Sequence, residues 1–224
     1  MNVMHSQQDR ALRLLWGIEA TTNRGPKARW TPEDIATAAV ALADDGGLDV
    51  VSLARVAAQL DMTTTAVYRY VDSKATLVEL MVDVAVGDAP QILDHDWRQA
   101  SRDWVRQLHA RYAAHPWLSD VRPAGMPRQP RVYGWIDALV RAVPADAGVD
   151  ALRLALLLDG LVRAHAGLER GLGDAVPLPW LADAVAARYP ALATAPAQDV
   201  SDPRAELEFA VDVVLRGLTT ADPS

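Results

Sequence analysis

One stretch limits the fold of this chain more than any other: Val51 to Leu80, which reads VSLARVAAQLDMTTTAVYRYVDSKATLVEL. Leu53, Val56, Ala57 and Leu60 recur at the spacing that lays one apolar stripe along a helix, and Ser52 stands just ahead of them as an N-cap. Asp61-Met62-Thr63 breaks that pattern, and aspartate is among the few non-glycine residues that accept the left-handed backbone a sharp helix-to-helix turn needs. Thr63 or Thr64 then caps a second short helix. Ser73 caps a third.

Within the second helix Val67 and Val71 lie four apart and pack inward. At 100° per residue this turns Thr65 and Arg69 outward, flanked by Thr64 and Tyr68. The exposed side is polar, aromatic and basic. A helix pressed into a DNA major groove needs such a side, with hydrogen bonds for base edges and phosphate partners on the flanks. Ser73 and Lys74 sit at the N-terminus of the next helix, where either can hold a phosphate.

These residues resemble the TetR family of bacterial transcriptional regulators. The resemblance runs through Leu60-Asp61-Met62, Ala66-Val67-Tyr68-Arg69-Tyr70-Val71 and Asp72-Ser73-Lys74 leading to Leu77. One departure is Asp61, where the family usually has glycine. The resemblance implies an all-α chain: a three-helix helix-turn-helix DNA-binding domain, then a larger helical ligand-binding and dimerisation domain. It assigns base edges to Thr64, Thr65 and Arg69 and phosphates to Ser52, Tyr68, Tyr70 and Lys74.

The net charge of −7 is the wrong sign for a protein that coats nucleic acid indiscriminately. Positive charge is instead local: Arg10, Arg13, Arg24, Lys27 and Arg29 face only Asp9 and Glu19 ahead of Trp30. The opening residues read as a helix from Gln8 to Glu19 and a basic arm, Thr21 to Lys27, suited to a neighbouring minor groove. Leu14-Leu15-Trp16-Gly17 and Arg24-Gly25-Pro26-Lys27 resemble the leader of actinobacterial members of the family. The chain has no cysteine, which excludes disulfides and thiolate chemistry. With no apolar run near the roughly 18 residues that cross a bilayer and no signal segment, a cytoplasmic protein is expected.

Thr31-Pro32-Glu33-Asp34 is a helix start, with Ile35, Ala38, Ala39 and Leu42 marking its buried side and Asp45-Gly46-Gly47 its end. The expected partition is an arm over 1–30, a DNA-binding domain over 31–76 and a regulatory domain over 77–224. The helix from Ser73 to about Val86 joins the last two. Beyond it, helices are expected around Trp97 to Tyr112, Val132 to Val143, Val149 to Arg170, Trp180 to Tyr189 and Ala205 to Leu218. His115-Pro116-Trp117-Leu118 resembles the regulatory domain of TetR relatives. Val149 to Arg170 is apolar almost all round and needs covering on several sides. Val149 to Arg170 and Ala205 to Leu218 are expected to form the dimer interface: in the family the two corresponding helices pair with their copies in a homodimer, whose two-fold symmetry matches a palindromic operator.

No His, Asp or Glu spacing forms a trustworthy metal or catalytic motif, so neither a cofactor nor an enzyme is expected. A small-molecule pocket between helices is, with Trp104, Leu108, Tyr112, Trp135, Leu139, Leu158, Val162 and His165 as candidate lining; against each stands the plain reading as core, the commoner role of a Trp or Leu at helical spacing. The combined expectation is a homodimeric repressor released from its operator by a small lipophilic effector. The alternatives are an activator or ligand-free regulator, an all-α enzyme using Asp159 and His165, and a helical protein-interaction module.

Overall fold

A computed structural model describes residues 11–18, 30–92, 96–122, 125–173, 178–193 and 202–218. The described residues form helices and connecting turns with no strand. In chain order they are α1 (Pro32–Gly46), α2 (Leu53–Gln59), α3 (Thr64–Val67), α4 (Lys74–Val86), α5 (Trp97–Ala114), α6 (Pro130–Ala142), α7 (Ala151–Gly173), α8 (Leu181–Arg188), α9 (Pro190–Ala193) and α10 (Pro203–Gly217).

Local chemistry sets the early boundaries. Thr31 closes a capping box: its Oγ1 accepts the Asp34 amide at 3.1 Å, and Asp34 Oδ2 accepts the Thr31 amide at 2.7 Å. Ser52, Thr63 and Ser73 cap α2, α3 and α4 by accepting the amides of Arg55, Ala66 and Thr76. Between α2 and α3, Asp61 has φ +52°, alone among the described non-glycine residues in being positive. An Asp61→Val substitution should therefore cost about 1–2 kcal/mol in chemical denaturation, while Asp61→Gly should be near neutral.

The small bundle is built on α1 crossing α4, with Ile35, Ala39, Val56, Val67, Val71, Leu77 and Leu80 in its core. That core runs on without a break into the body, where α7 packs against α5, α6 and α10. The helix expected from Gln8 is helical at residues 11–15, with Ala11 and Leu12 buried. The basic arm that follows, including Arg24, Lys27 and Arg29, lies outside the described residues.

Two details differ from the periodicity. Val140, on the apolar stripe of α6, is exposed, because only the Trp135 and Leu139 side of that helix meets the bundle. The long helix α7 continues past Arg170 to Gly173 and buries only Leu154, Ala155, Leu158 and Val162 among its apolar residues. Its Leu152, Leu156, Leu157, Leu168 and Leu172 are exposed, as are Phe209 and Val213 of α10.

Candidate functional site

The α3 element is a single α-turn prolonged by tight turns, with the Tyr70 amide donating to the Val67 carbonyl at 2.9 Å and the Val71 amide to the same oxygen at 3.1 Å. Val67 and Val71 are fully buried, and this fixes the direction of everything between them. Thr65, Tyr68 and Arg69 face solvent, Tyr68 with 51% of its surface exposed, while Thr64 and Tyr70 are half-buried beside them. Such an exposed aromatic next to an arginine is available to a partner, not used by the core.

Ser52 and Lys74 border this surface with prior commitments. Ser52 Oγ accepts the Arg55 amide at 3.3 Å as an N-cap, and Lys74 Nζ donates to the Leu48 carbonyl at 3.3 Å while remaining exposed. Ser73 Oγ lies 3.0 Å from Thr76 Oγ1, which in turn donates to Asp72. Helix α4 is thus pinned to the α3 turn by its own cap.

In the body a cavity of about 630 Å³ lies between α4, α5, α6, α7 and the 125–129 loop. Trp104, Leu108 and Tyr112 from α5 and Trp135 from α6 line it. The two indoles meet edge to face at 5.9 Å, with Trp104 Nε1 donating to the Trp135 carbonyl at 2.8 Å and Trp135 Nε1 to the Gly87 carbonyl at 3.0 Å. Both indole donors are therefore used within the protein. Burial raises the Tyr112 phenol above its ordinary range, the charge of Asp159 adds to this, and Arg163 opposes it.

Four other candidates stand elsewhere. Leu139, Leu158 and Val162 are fully buried in the core without lining the cavity, since the inward sides of α6 and α7 point at each other as well as at the void. His165 is half-buried and bonds the Leu161 carbonyl one turn back at 2.8 Å. From that helix Leu156, Asp159 and Arg163 line the cavity; Asp159 lies 3.5 Å from Arg163, and no hydrogen bond joins it to His165 among the described residues. No group of His, Asp and Glu among the described residues has metal-site geometry.

Residues 35–81 match the family described as bacterial regulatory proteins, tetR family. The HTH-type transcriptional repressor DrrR1 of Streptomyces coeruleorubidus is 33% identical over 204 residues, covering 83% of this chain and 76% of that protein. The chain belongs to the TetR family of bacterial regulatory proteins. A possible TetR family transcriptional regulator from Streptomyces coelicolor A3(2) superposes with a TM-score of 0.69 at 27% identity, over 85% of this chain and all of that one. The Streptomyces coelicolor TetR family protein ActR, in complex with actinorhodin, superposes with a TM-score of 0.67 at 22% identity, over 88% of this chain and all of that one.

This TetR-family chain carries functional candidates that periodicity does not reveal. The connecting helix α4 forms part of the cavity wall through Val78, Glu79 and Val82, and Glu79 pairs with Arg128 of the loop. Trp16, in the leader, donates its Nε1 to the Arg128 carbonyl at 2.8 Å and packs at a tilt against Tyr133 with centroids 5.7 Å apart, so the leader braces the same loop. The His-Pro-Trp-Leu segment meets the C-terminal end of α1: His115 Nδ1 and Trp117 Nε1 both lie within 2.9 Å of Asp44 Oδ1.

The densest connection is Arg131, in the first turn of α6. Its guanidinium reaches Glu33 of α1 at 2.6 Å, Asp88 at 3.1 Å and Asp83 of α4 at 3.2 Å, and its amide donates to Asp83 Oδ1 at 2.8 Å. Gln129 provides no side-chain cap for α6, so Asp83 serves as that cap from another helix. Burial lifts the Asp83 carboxyl above its ordinary range, while the Arg131 amide and charge pull it back. None of these partners is near in sequence, though a lone aspartate on the apolar stripe of α4 was the available hint.

Proposed function

We propose that the chain is a transcriptional repressor that binds a palindromic operator as a homodimer and is released when a small lipophilic molecule fills the body cavity. The outward face of Thr64 to Tyr70 is the observation that carries this reading: its polar and basic side chains are unencumbered while the valines behind them are buried. Thr64, Thr65 and Arg69 are assigned to base edges, and Ser52, Tyr68, Tyr70 and Lys74 to phosphates. The head is residues 31–76, the regulatory body 77–224, and the basic residues of 1–30 are an auxiliary DNA contact. No described helix is long and apolar enough to cross a membrane, which fits an operator-binding protein of the cytoplasm.

The exposed leucines of α7 with Phe209 and Val213 of α10 support self-association, because a soluble monomer rarely leaves so large an apolar patch in water. A cavity walled by two tryptophans and a tyrosine supports an aromatic or lipophilic effector, and ActR, of the same fold, is known with actinorhodin bound. Release follows from the wall that α4 shares. An effector that fits best when Val78, Glu79 and Val82 move outward displaces α4, and Arg131, which holds Asp83 of α4 and Glu33 of α1, carries that displacement to α1. The separation of the two paired α3 elements then no longer matches successive grooves.

Titration of labelled DNA flanking the protein's own gene tests the DNA assignment. Lys74→Ala should weaken binding about tenfold and reduce the slope of log affinity against log salt by about one, as fewer counterions are released, and Tyr68→Ala, which removes a neutral contact, should weaken binding about tenfold with little change of slope. Unaltered affinity and slope in both variants would contradict it.

A further inference from the structure

The polar inventory of the cavity narrows the effector beyond its being lipophilic, on the basis that this cavity is the effector site. The aromatic walls offer no hydrogen bonds, because both indole N–H groups are already donated to carbonyls. Tyr112 differs. It lines the cavity with only 4% of its surface exposed, and its hydroxyl has no hydrogen bond among the described residues. Burial and the Asp159 charge hold that phenol in its protonated form, so it faces the void as a donor. The hydroxyl opens onto the cavity and is not sealed from solvent, so a ligand oxygen can reach it as an acceptor.

The charges add a second constraint. Five ionisable side chains besides Tyr112 line the cavity: the acids Glu79 and Asp159, and the guanidiniums of Arg122, Arg128 and Arg163. Glu79 is paired with Arg128, and Asp159 lies beside Arg163, whose guanidinium also stands over the Tyr112 ring at 5.6 Å. Arg122, exposed, has no ion-pair partner among the described residues. Three positive charges against two negative ones leave the cavity with a cationic excess. A cationic ligand would find both carboxylates already matched, whereas an anion gains an unmatched guanidinium.

We propose that the effector is an aromatic acid: a flat ring system packed against Trp104 and Trp135, with an oxygen acceptor at the Tyr112 hydroxyl and a carboxylate or ionised phenol at Arg122. The volume of about 630 Å³ suits a molecule of several fused rings.

Quenching of tryptophan fluorescence in the DNA-free protein tests this with three probes: an anthraquinone carboxylate, its methyl ester and the corresponding aminomethyl compound. The carboxylate should bind about tenfold more tightly than either analogue, the factor expected of one charge-assisted hydrogen bond at a partly exposed site. Arg122→Gln should reduce the carboxylate to the affinity of the ester. Tyr112→Phe, which keeps the ring in place, should weaken carboxylate and ester alike, again about tenfold.

An amine that binds as tightly as the acid, or a preference that survives Arg122→Gln, overturns the proposal. So does an unchanged Tyr112→Phe. Equal binding of all three probes with operator release intact overturns the acid assignment and leaves the repressor reading standing. No quenching by any probe overturns the assignment too, and the separate operator titration then shows whether the DNA-binding reading fails with it.

Discussion

Arg131→Ala is expected to destabilise the protein by about 3 kcal/mol in chemical denaturation, the loss typical of stranding a buried charge by removing its partner. Asp83 is the stranded group: it is 1% exposed and has no other cation within ion-pair distance among the described residues once Arg131 is gone. Asp83→Asn on the same background should recover most of the loss, because the neutral amide oxygen still accepts the residue-131 amide that begins α6. The pH dependence follows from the raised Asp83 carboxyl. A carboxyl whose folded-state pKa is raised favours folding below its unfolded pKa, and this contribution is lost as pH rises through the folded-state value. Without Arg131 the folded-state value rises further. The gap between wild type and Arg131→Ala should therefore be widest at neutral pH and narrow as Asp83 takes up its proton in acid. A pH-independent gap, or no rescue by Asp83→Asn, would remove Asp83 from the explanation.

Leu157→Glu combined with Phe209→Glu should have the largest effect on DNA binding while sparing the fold. Both side chains are about half exposed in one chain, 49% and 56%, so charging them disturbs little within it. Across a two-fold interface each glutamate would be desolvated opposite apolar residues and near its own copy. Sedimentation should show a monomer. Operator affinity should fall by at least about 100-fold, because the two recognition elements no longer share one effective concentration. A variant that remains dimeric would exclude this face as the interface. A monomer with undiminished affinity would exclude two-site reading of the operator.

How much of this was legible beforehand depended on the range of the interactions. The caps at Thr31, Ser52, Thr63 and Ser73 and the left-handed Asp61 are decided within four residues, so sequence and structure agree there. The outward face of α3 was also readable, since Val67 and Val71 alone set its direction. The cavity was readable only in part. Periodicity marks Leu139, Leu158 and Val162 as buried but does not distinguish a neighbour's side chain from a void, and the structure places all three in packed core. Arg131 was invisible for a different reason: Glu33 and Asp83 lie 98 and 48 positions away, and only the crossing of α1, α4 and α6 brings them together. The same holds for Asp44 with His115 and Trp117, where the motif was recognised without its partner.

Hydroxyl-radical footprinting of the wild-type protein on the DNA flanking its own gene tests the central claim most directly. Two protected patches should appear on one face of the duplex, centred about one helical turn or a whole multiple of turns apart and related by a dyad in the sequence. Thr65→Ala with Arg69→Ala should erase both patches together. Protection that is continuous and indifferent to sequence, or patches that persist in that variant, would contradict an operator read by paired copies of the Thr64 to Tyr70 segment.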